Sequence, residues 1–258
     1  MVSLSWIRLD GIDNARDLGG LPTRDGGSIR RHRLLRSGNL QAASARDVRL
    51  LVDDIGVTTV VDLRKDDEAR IEGPGPMTRE PVVAIVNLSL YPPASAQEGI
   101  PDPDRISWEA VDPAAHHDQW TGHYLTYLTM RPDSVVAALS AIAHAPGAAL
   151  VHCAAGKDRT GTVVALALLL AGVTEEAIVE DYAASAAWVP RILERLRDRP
   201  AYRTSLAHAT VDNQTPRADT MVHLLAAIRE RYGDAENYLR KHGWTAPDTA
   251  ALRARLLD

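Results

Sequence analysis

Gly147-Ala148-Ala149-Leu150-Val151-His152-Cys153-Ala154-Ala155-Gly156-Lys157-Asp158-Arg159-Thr160-Gly161 leads from an apolar run into a loop that holds the only cysteine of a 258-residue chain. Gly147 to Val151 is small or apolar and is bounded by Pro146-Gly147, which reads as a short strand buried on both faces. Thr162 to Ala171 is apolar all round and stops at Gly172, which suits a buried helix with a glycine C-cap. The motif between them therefore sits on a strand-to-helix turn. There the backbone N–H groups from Ala154 to Arg159 can curl into an anion nest, with the positive end of the helix aimed at the same spot. A cysteine in that position is favoured as its thiolate. Arg159, six residues on, offers a planar fork that holds two phosphate oxygens and can follow them as the group flattens in the transition state. Gly156 allows the positive φ of a tight nest, and the Thr160 hydroxyl can steady the sulfur as a leaving group. The expected anion-binding set is Ala154, Ala155, Gly156, Lys157, Asp158, Arg159 and Thr160. A lone cysteine is most often a small core residue. The register of His152, Gly156, Arg159, Thr160 and Gly161 around this one argues instead for attack on phosphorus and a phosphocysteine.

Outward from the loop, helix and strand signals alternate, which predicts an α/β fold in one domain spanning 1–258. Ser44-Ala45-Arg46-Asp47 is a capping box opening a helix that closes at Gly56, and Val57 to Val61 follows as a strand. Asp62 and Arg64 leave the end of that strand. If it runs parallel to the strand before Cys153, both ends open on one rim, where ligands bind in open α/β sheets. Gly73 to Pro76 is a turn and Pro81 to Leu90 a further strand, while Tyr91 to Gln119 has no clear period and reads as a long loop. Helices are predicted over Gly122–Met130, Pro132–Ala145, Thr174–Ala184 and Val189–Asp198, with two or three more after the polar stretch Pro200–Arg217.

Lys and Arg total 29 against 34 Asp and Glu, a formal charge of −5, which argues against a general nucleic-acid binder. The N-terminal residues lack the basic start and apolar core of a signal peptide, and the longest apolar run, Thr162 to Val173, is too short to span a bilayer. One cysteine excludes an internal disulfide. A reducing cytoplasm suits these facts, with secretion by a route needing no cleavable signal left open. His116, His117 and His123 match no metal-ligand spacing and are expected at the surface, and neither a metal nor a cofactor is expected.

His152-Cys153-x5-Arg159-Thr160 resembles the H-C-x5-R-[S/T] signature of the cysteine-dependent protein tyrosine phosphatases. The chain is most similar to their bacterial branch, which includes mycobacterial members. Asn14-Ala15-Arg16-Asp17-Leu18-Gly19-Gly20 stands where that branch usually has N-F-R-D-L-G-G. Leu35 to Leu40, Val60 to Arg64 with Glu68 downstream, Asp181-Tyr182, Tyr232-Gly233 and Tyr238-Leu239 follow in order. Ala15 removes an aromatic, and the chain has no phenylalanine at all, so packing near the site is expected to differ.

The resemblance implies a central, mostly parallel sheet flanked by helices, with a helical C-terminal part whose segment from about 197 to 220 forms a lid carrying Arg197, Arg199, Arg203, His208 and Arg217. It implies a phosphatase working by phosphocysteine without metal, on phosphotyrosine and also on phosphoserine or phosphothreonine, with phosphoinositides as the alternative substrate class. Related loops with an aspartate before the arginine use that residue as the general acid. Asp158 is therefore the leading proton donor, against the reading that it only braces the loop. Asp62 is the alternative, and the loop acids Asp102, Asp104, Asp112 and Asp118 remain. Lys157 adds a second cation suited to multiply charged head groups. His152 is expected as a ring hydrogen-bonded to backbone near Cys153, and Arg16 and Asp17 as ties between the N-terminal segment and the loop. A rhodanese-like sulfurtransferase, whose cysteine also sits in an anion-binding turn, and a non-catalytic phospho-binding module are the competing classes.

Overall fold

The computed structural model describes residues 3–92 and 116–257, and of 116–118 the backbone alone. A six-stranded sheet carries the molecule: β1 Ser5–Trp6, β2 Arg16–Asp17, β3 Leu34–Ser37, β4 Val57–Asp62, β5 Ala84–Asn87 and β6 Ala148–His152, in the order β1-β2-β3-β6-β4-β5. β3, β6, β4 and β5 run parallel, while β1 and β2 add an antiparallel edge. This is the α/β class expected from the alternation of signals, with the mostly parallel sheet that the resemblance implies. The two short N-terminal strands and β3 carry too few residues to show a period.

The helices are α1 Ala45–Arg49, α2 Asp66–Glu72, α3 His116–Met130, α4 Pro132–Ala143, α5 Asp158–Ala171, α6 Glu175–Ala184, α7 Val189–Leu196, α8 Val211–Gln214, α9 Ala218–Tyr232, α10 Ala235–Arg240 and α11 Ala246–Leu256. Side chains alternate along β6: Ala149 and Val151 join the core under α5, while Ala148 and Leu150 face a second core with Leu35, Val57 and Val60 on the other side. Both faces are covered, so β6 has no polar side, as its sequence required. α5 is apolar all round because it lies between β6 and the helices α3, α4, α6, α10 and α11. Gly172 ends it with φ +84°, a left-handed cap that glycine adopts without strain.

Several boundaries differ from the sequence expectation. The capping box forms as read, with Ser44 accepting from Asp47 N and the Asp47 carboxylate accepting from Ser44 N, but α1 passes at Leu50 into a π-helical turn that runs to Asp54. α3 begins at His116 rather than Gly122, so the end of the expected loop is helix. Asp102, Asp104 and Asp112 lie outside the described residues, as do the side chains of His116, His117 and Asp118. His123 is buried, not at the surface, with its Nε2 2.7 Å from the Tyr127 hydroxyl. His123 and Tyr127 stand four residues apart on α3, and burial of that face is set by what the helix packs against. Residues 197–208 form successive turns rather than helix.

Candidate active site

Parallel pairing places Ser37, His152 and Asp62 side by side at the carboxyl ends of β3, β6 and β4. The chain leaves β6 through Cys153, which is 2% exposed, and turns over this edge into α5. Gly156 makes the turn with φ +66°, and a Cβ there would sit 2.2 Å from the Ser37 carbonyl oxygen. Only glycine fits, because both the dihedral and the approach to β3 exclude a side chain.

The loop's carbonyls are tied down from outside. Ala154 O accepts from Asn39 N at 2.9 Å. Asn14 Nδ2 donates to the Ala155 and Gly156 carbonyls at 3.1 and 3.0 Å, and Arg36 Nη2 donates to Gly156 O at 2.8 Å. Asn14 itself has φ +57°, a conformation asparagine tolerates better than most residues. Its Oδ1 accepts from Arg16 Nη1 at 2.5 Å. Behind these groups Asp181 holds both arginines, at 2.6 Å to Arg16 and 2.5 Å to Arg36, all three side chains being almost fully buried. Burial lowers the pKa of Arg16 to about 10, with Asp181 opposing the shift. Arg16 thus ties the N-terminal segment to Asp181 and Ser185, while the link to the loop itself is made by Asn14. Asp17 instead braces its own turn, accepting from Gly19 N and His32 N.

With its carbonyls occupied outward, the loop leaves the backbone amides from Ala154 to Thr160 without a hydrogen-bond partner among the described residues. Such a row of N–H groups at a helix start can cradle an anion. Thr160 Oγ1 is buried with no partner in the same turn.

Arg159 is held by Glu68 of α2: Nη1 donates to Oε2 and Nη2 to Oε1, the second at 3.1 Å. Burial works against its charge, but Glu68 and Cys153 outweigh it and raise the guanidinium's pKa. Lys157 is 3% exposed, donates to the Gln214 carbonyl at 2.5 Å and lies 4.6 Å from the Trp120 ring centroid. Burial lowers its pKa, and Asp158, 3.6 Å away, resists.

Asp158 opens α5 with a side chain 18% exposed, and its Oδ1 accepts from the Tyr124 hydroxyl. Asp62 is occupied elsewhere. Its carboxylate takes three hydrogen bonds from the Arg64 side chain and lies 3.7 Å from His152 Nε2. Burial would raise its pKa, yet His152 and Arg64 hold it below the usual carboxylate range. The His152 ring also sits 3.2 Å from the Cys153 carbonyl through Nδ1, and burial lowers its pKa against the pull of Asp62. Asp62, Arg64 and His152 line a cavity of their own, separate from the one that reaches Cys153.

The Cys153 cavity, about 110 Å³, is floored by the loop, with Glu68, Lys157, Asp158 and Arg159 as its charged groups. Its walls are apolar: Tyr91, Trp120 and Tyr127 on one side and Val189, Ile192, Leu193, Leu196 and Leu206 on the other. Tyr202 packs with Ile192 and Leu196 against Ala154 and Ala155. Two contacts pin this second wall to the rest of the site, an Arg199–Glu72 ion pair and a 3.1 Å bond from Asn39 Nδ2 to the Tyr202 hydroxyl. Among the described residues no group of three or more His, Cys, Asp or Glu is placed to hold a metal ion.

Glu68, Asn14, Arg36 and Asp181 stand inside the segments that carry the resemblance, but their partners are 91 to 145 positions away. Tyr124, Tyr91 and Tyr202 belong to no motif. Their roles arise only when α3, the stretch after β5 and the turns after α7 meet over the loop.

Comparison with known proteins identifies the family. Residues 7–258 match the profile described as the tyrosine phosphatase family. A Cupriavidus necator protein named among the tyrosine-protein phosphatases is 32% identical over 260 residues, covering 97% of this chain and 88% of that one. The triple specificity protein phosphatase PtpB of Mycobacterium tuberculosis is 29% identical over 279 residues, covering 96% and 98%. A tyrosine-protein phosphatase of Nostoc commune is 34% identical over 143 residues, where the match spans 54% of this chain and 47% of the relative. With a profile that runs through nearly the whole chain, the protein belongs to the tyrosine phosphatase family.

Proposed function

We propose that the protein hydrolyses aryl phosphate monoesters, phosphotyrosine in a phosphoprotein first among them, with Cys153 as nucleophile. The observation that carries this reading is the row of unpartnered amides from Ala154 to Thr160 around a buried cysteine, at the foot of an apolar-walled cavity. The cradle and Arg159 take the phosphate and the walls take a ring. In the first step the sulfur lone pair forms an S–P bond as the P–O bond to the leaving group breaks. Asp158 delivers its proton to that oxygen. In the second, water forms a new P–O bond, the P–S bond breaks and the Cys153 thiolate departs past Thr160 Oγ1. The carboxylate of Asp158 takes the water's proton, so each cycle restores both groups.

Asp158 suits the acid role because it lines the Cys153 cavity, whereas Asp62 lines another and is held by Arg64. Lys157 supports acceptance of a second negative charge, the basis for phosphoinositides as a further substrate class. The segment from about 197 to 220 acts as a lid: Tyr202, Ser205, Leu206 and Gln214 all line the cavity. No helix among the described residues is long and apolar enough to cross a membrane. A reducing compartment such as the cytoplasm would keep the single thiol active.

A phosphate-release panel over phosphopeptides and soluble phosphoinositides tests the reading, with Cys153→Ser and Asp158→Asn run alongside. Cys153→Ser should abolish turnover. Asp158→Asn should lose about 10²–10⁴-fold on phosphopeptide but little on an activated aryl phosphate, whose leaving group needs no proton. Sulfur transfer from thiosulfate to cyanide without phosphate release would instead support the sulfurtransferase class.

A further inference from the structure

Asp158 is reached by two tyrosines from two other helices. Tyr124 of α3 donates to Asp158 Oδ1, and its oxygen lies 2.7 Å from the Tyr182 hydroxyl of α6. Both tyrosines are almost fully buried. The rings meet edge to face at 6.1 Å, and Tyr182 lies against Gly161, where a Cβ would stand 3.0 Å from its Cδ2. A chain of hydroxyls therefore runs from α6 through α3 to the first residue of α5. Burial and the neighbouring Asp158 raise the pKa of Tyr124 well above the usual tyrosine range, so its proton stays on the hydroxyl through the neutral range.

We infer that Tyr124 is a positioning residue for the proton-transfer step: it holds Asp158 Oδ1, with Tyr182 behind it, so that Oδ2 is the oxygen that carries and returns the proton. The inference rests on Asp158 being the general acid. Oδ1 already receives the Tyr124 hydroxyl and has Lys157 Nζ 3.6 Å away, whereas Oδ2 has no hydrogen-bond donor among the described residues. Among the described residues, Lys157, Tyr124 and, behind it, Tyr182 are the ionisable side chains next to this carboxyl, and the His123 ring is 6.3 Å from the Tyr124 ring. A carboxyl without its fixed partner rotates and spends part of its time with the wrong oxygen at the leaving group.

The adjacent Asp181 and Tyr182 make α6 a common support. Asp181 acts through Arg36 on the loop's carbonyls, and Tyr182 acts through Tyr124 on the acid. The nucleophile's cradle and the proton donor are thus referenced to the same helix turn.

Tyr124→Phe keeps the ring and removes the hydroxyl. Phosphopeptide kcat should fall about tenfold while kcat on an activated aryl phosphate stays within about twofold, a fraction of the 10²–10⁴ that a general acid contributes. Tyr182→Phe should show the same split between the two substrates by less, and it decides the matter if Tyr124→Phe does not fold. Equal losses on both substrates, or no loss on either, in the folded variant overturn the inference. Asp158→Asn in the same assay separates the two claims. If it shows no leaving-group dependence, the acid itself is misassigned; if it does while both tyrosine variants behave as wild type, only the positioning role falls.

Discussion

Arg159 and Glu68 show how a single pair sets the chemistry of the cradle. A guanidinium in a buried cavity needs a partner to keep its charge, and the two bonds that Arg159 donates to one carboxylate also fix the plane of the fork. Glu68→Gln retains the bond to Lys65 N that caps α2 and removes the charge that orients Arg159. Since a displacement of about 1 Å can cost on the order of 100-fold in rate, kcat/KM on an aryl phosphate should fall about 10- to 100-fold. Steady-state kinetics check this, and an unchanged kcat/KM would mean that the fork is set by something else. At this scale the sequence was legible where placement follows from spacing: Gly156 makes the left-handed turn, and Cys153 and Arg159 line one cavity. It was not legible for Tyr124 or Glu68, whose partners lie 34 and 91 positions away and belong to other elements. His123 failed for a different reason: its partner Tyr127 stands four residues on in the same helix, but whether that face is buried depends on what α3 packs against.

Among the elements, β6, the loop and α5 form one unit whose sequence and structure agree closely. The strand is apolar on both sides because helices cover both faces, the turn needs a glycine, and the helix is apolar all round because it is central. Gly156→Ala probes that unit. Its left-handed dihedral alone costs about 1–3 kcal/mol for a residue with a side chain, and the Cβ must also push β3 away from the loop at Ser37. Urea denaturation should show a loss of at least that size, with activity falling further because the amides no longer converge; a variant of wild-type stability and rate would refute the geometry. Elsewhere the element boundaries shifted where local signals were weak. α1 runs into a π-helical turn that its capping box did not announce, and the short edge strands β1 and β2 exist because Arg16 and Asp17 pair with the outer side of β3.

For the whole molecule, the buried Arg16–Asp181–Arg36 group joins the N-terminal strands, the sheet and α6 to the back of the loop, so stability and site geometry share one set of charges. Burial would raise the pKa of Asp181, but the two arginines hold it down. A carboxylate depressed in the folded state contributes stability above its unfolded value of about 3.9 and loses it as pH falls through the folded value. His152 acts earlier. Its pKa is lowered by burial, so below about 6.5 the unfolded chain takes up the proton first and stability drops. The urea midpoint should therefore decline in two stages, from about pH 6.5 and again below about pH 4. Asp181→Asn should cost about 3–5 kcal/mol at pH 7, because it leaves two buried guanidinium groups without an anion, and should weaken the lower stage; a pH-independent midpoint in the wild type would exclude both assignments.

The most direct test of the whole account is to mix the protein with an excess of aryl phosphate, quench in acid within the first turnover and map the modified residue by mass spectrometry. One phosphoryl group on Cys153, absent from Cys153→Ser, is the predicted result. Sustained phosphate release with no label on Cys153, or with the label on another residue, would contradict it.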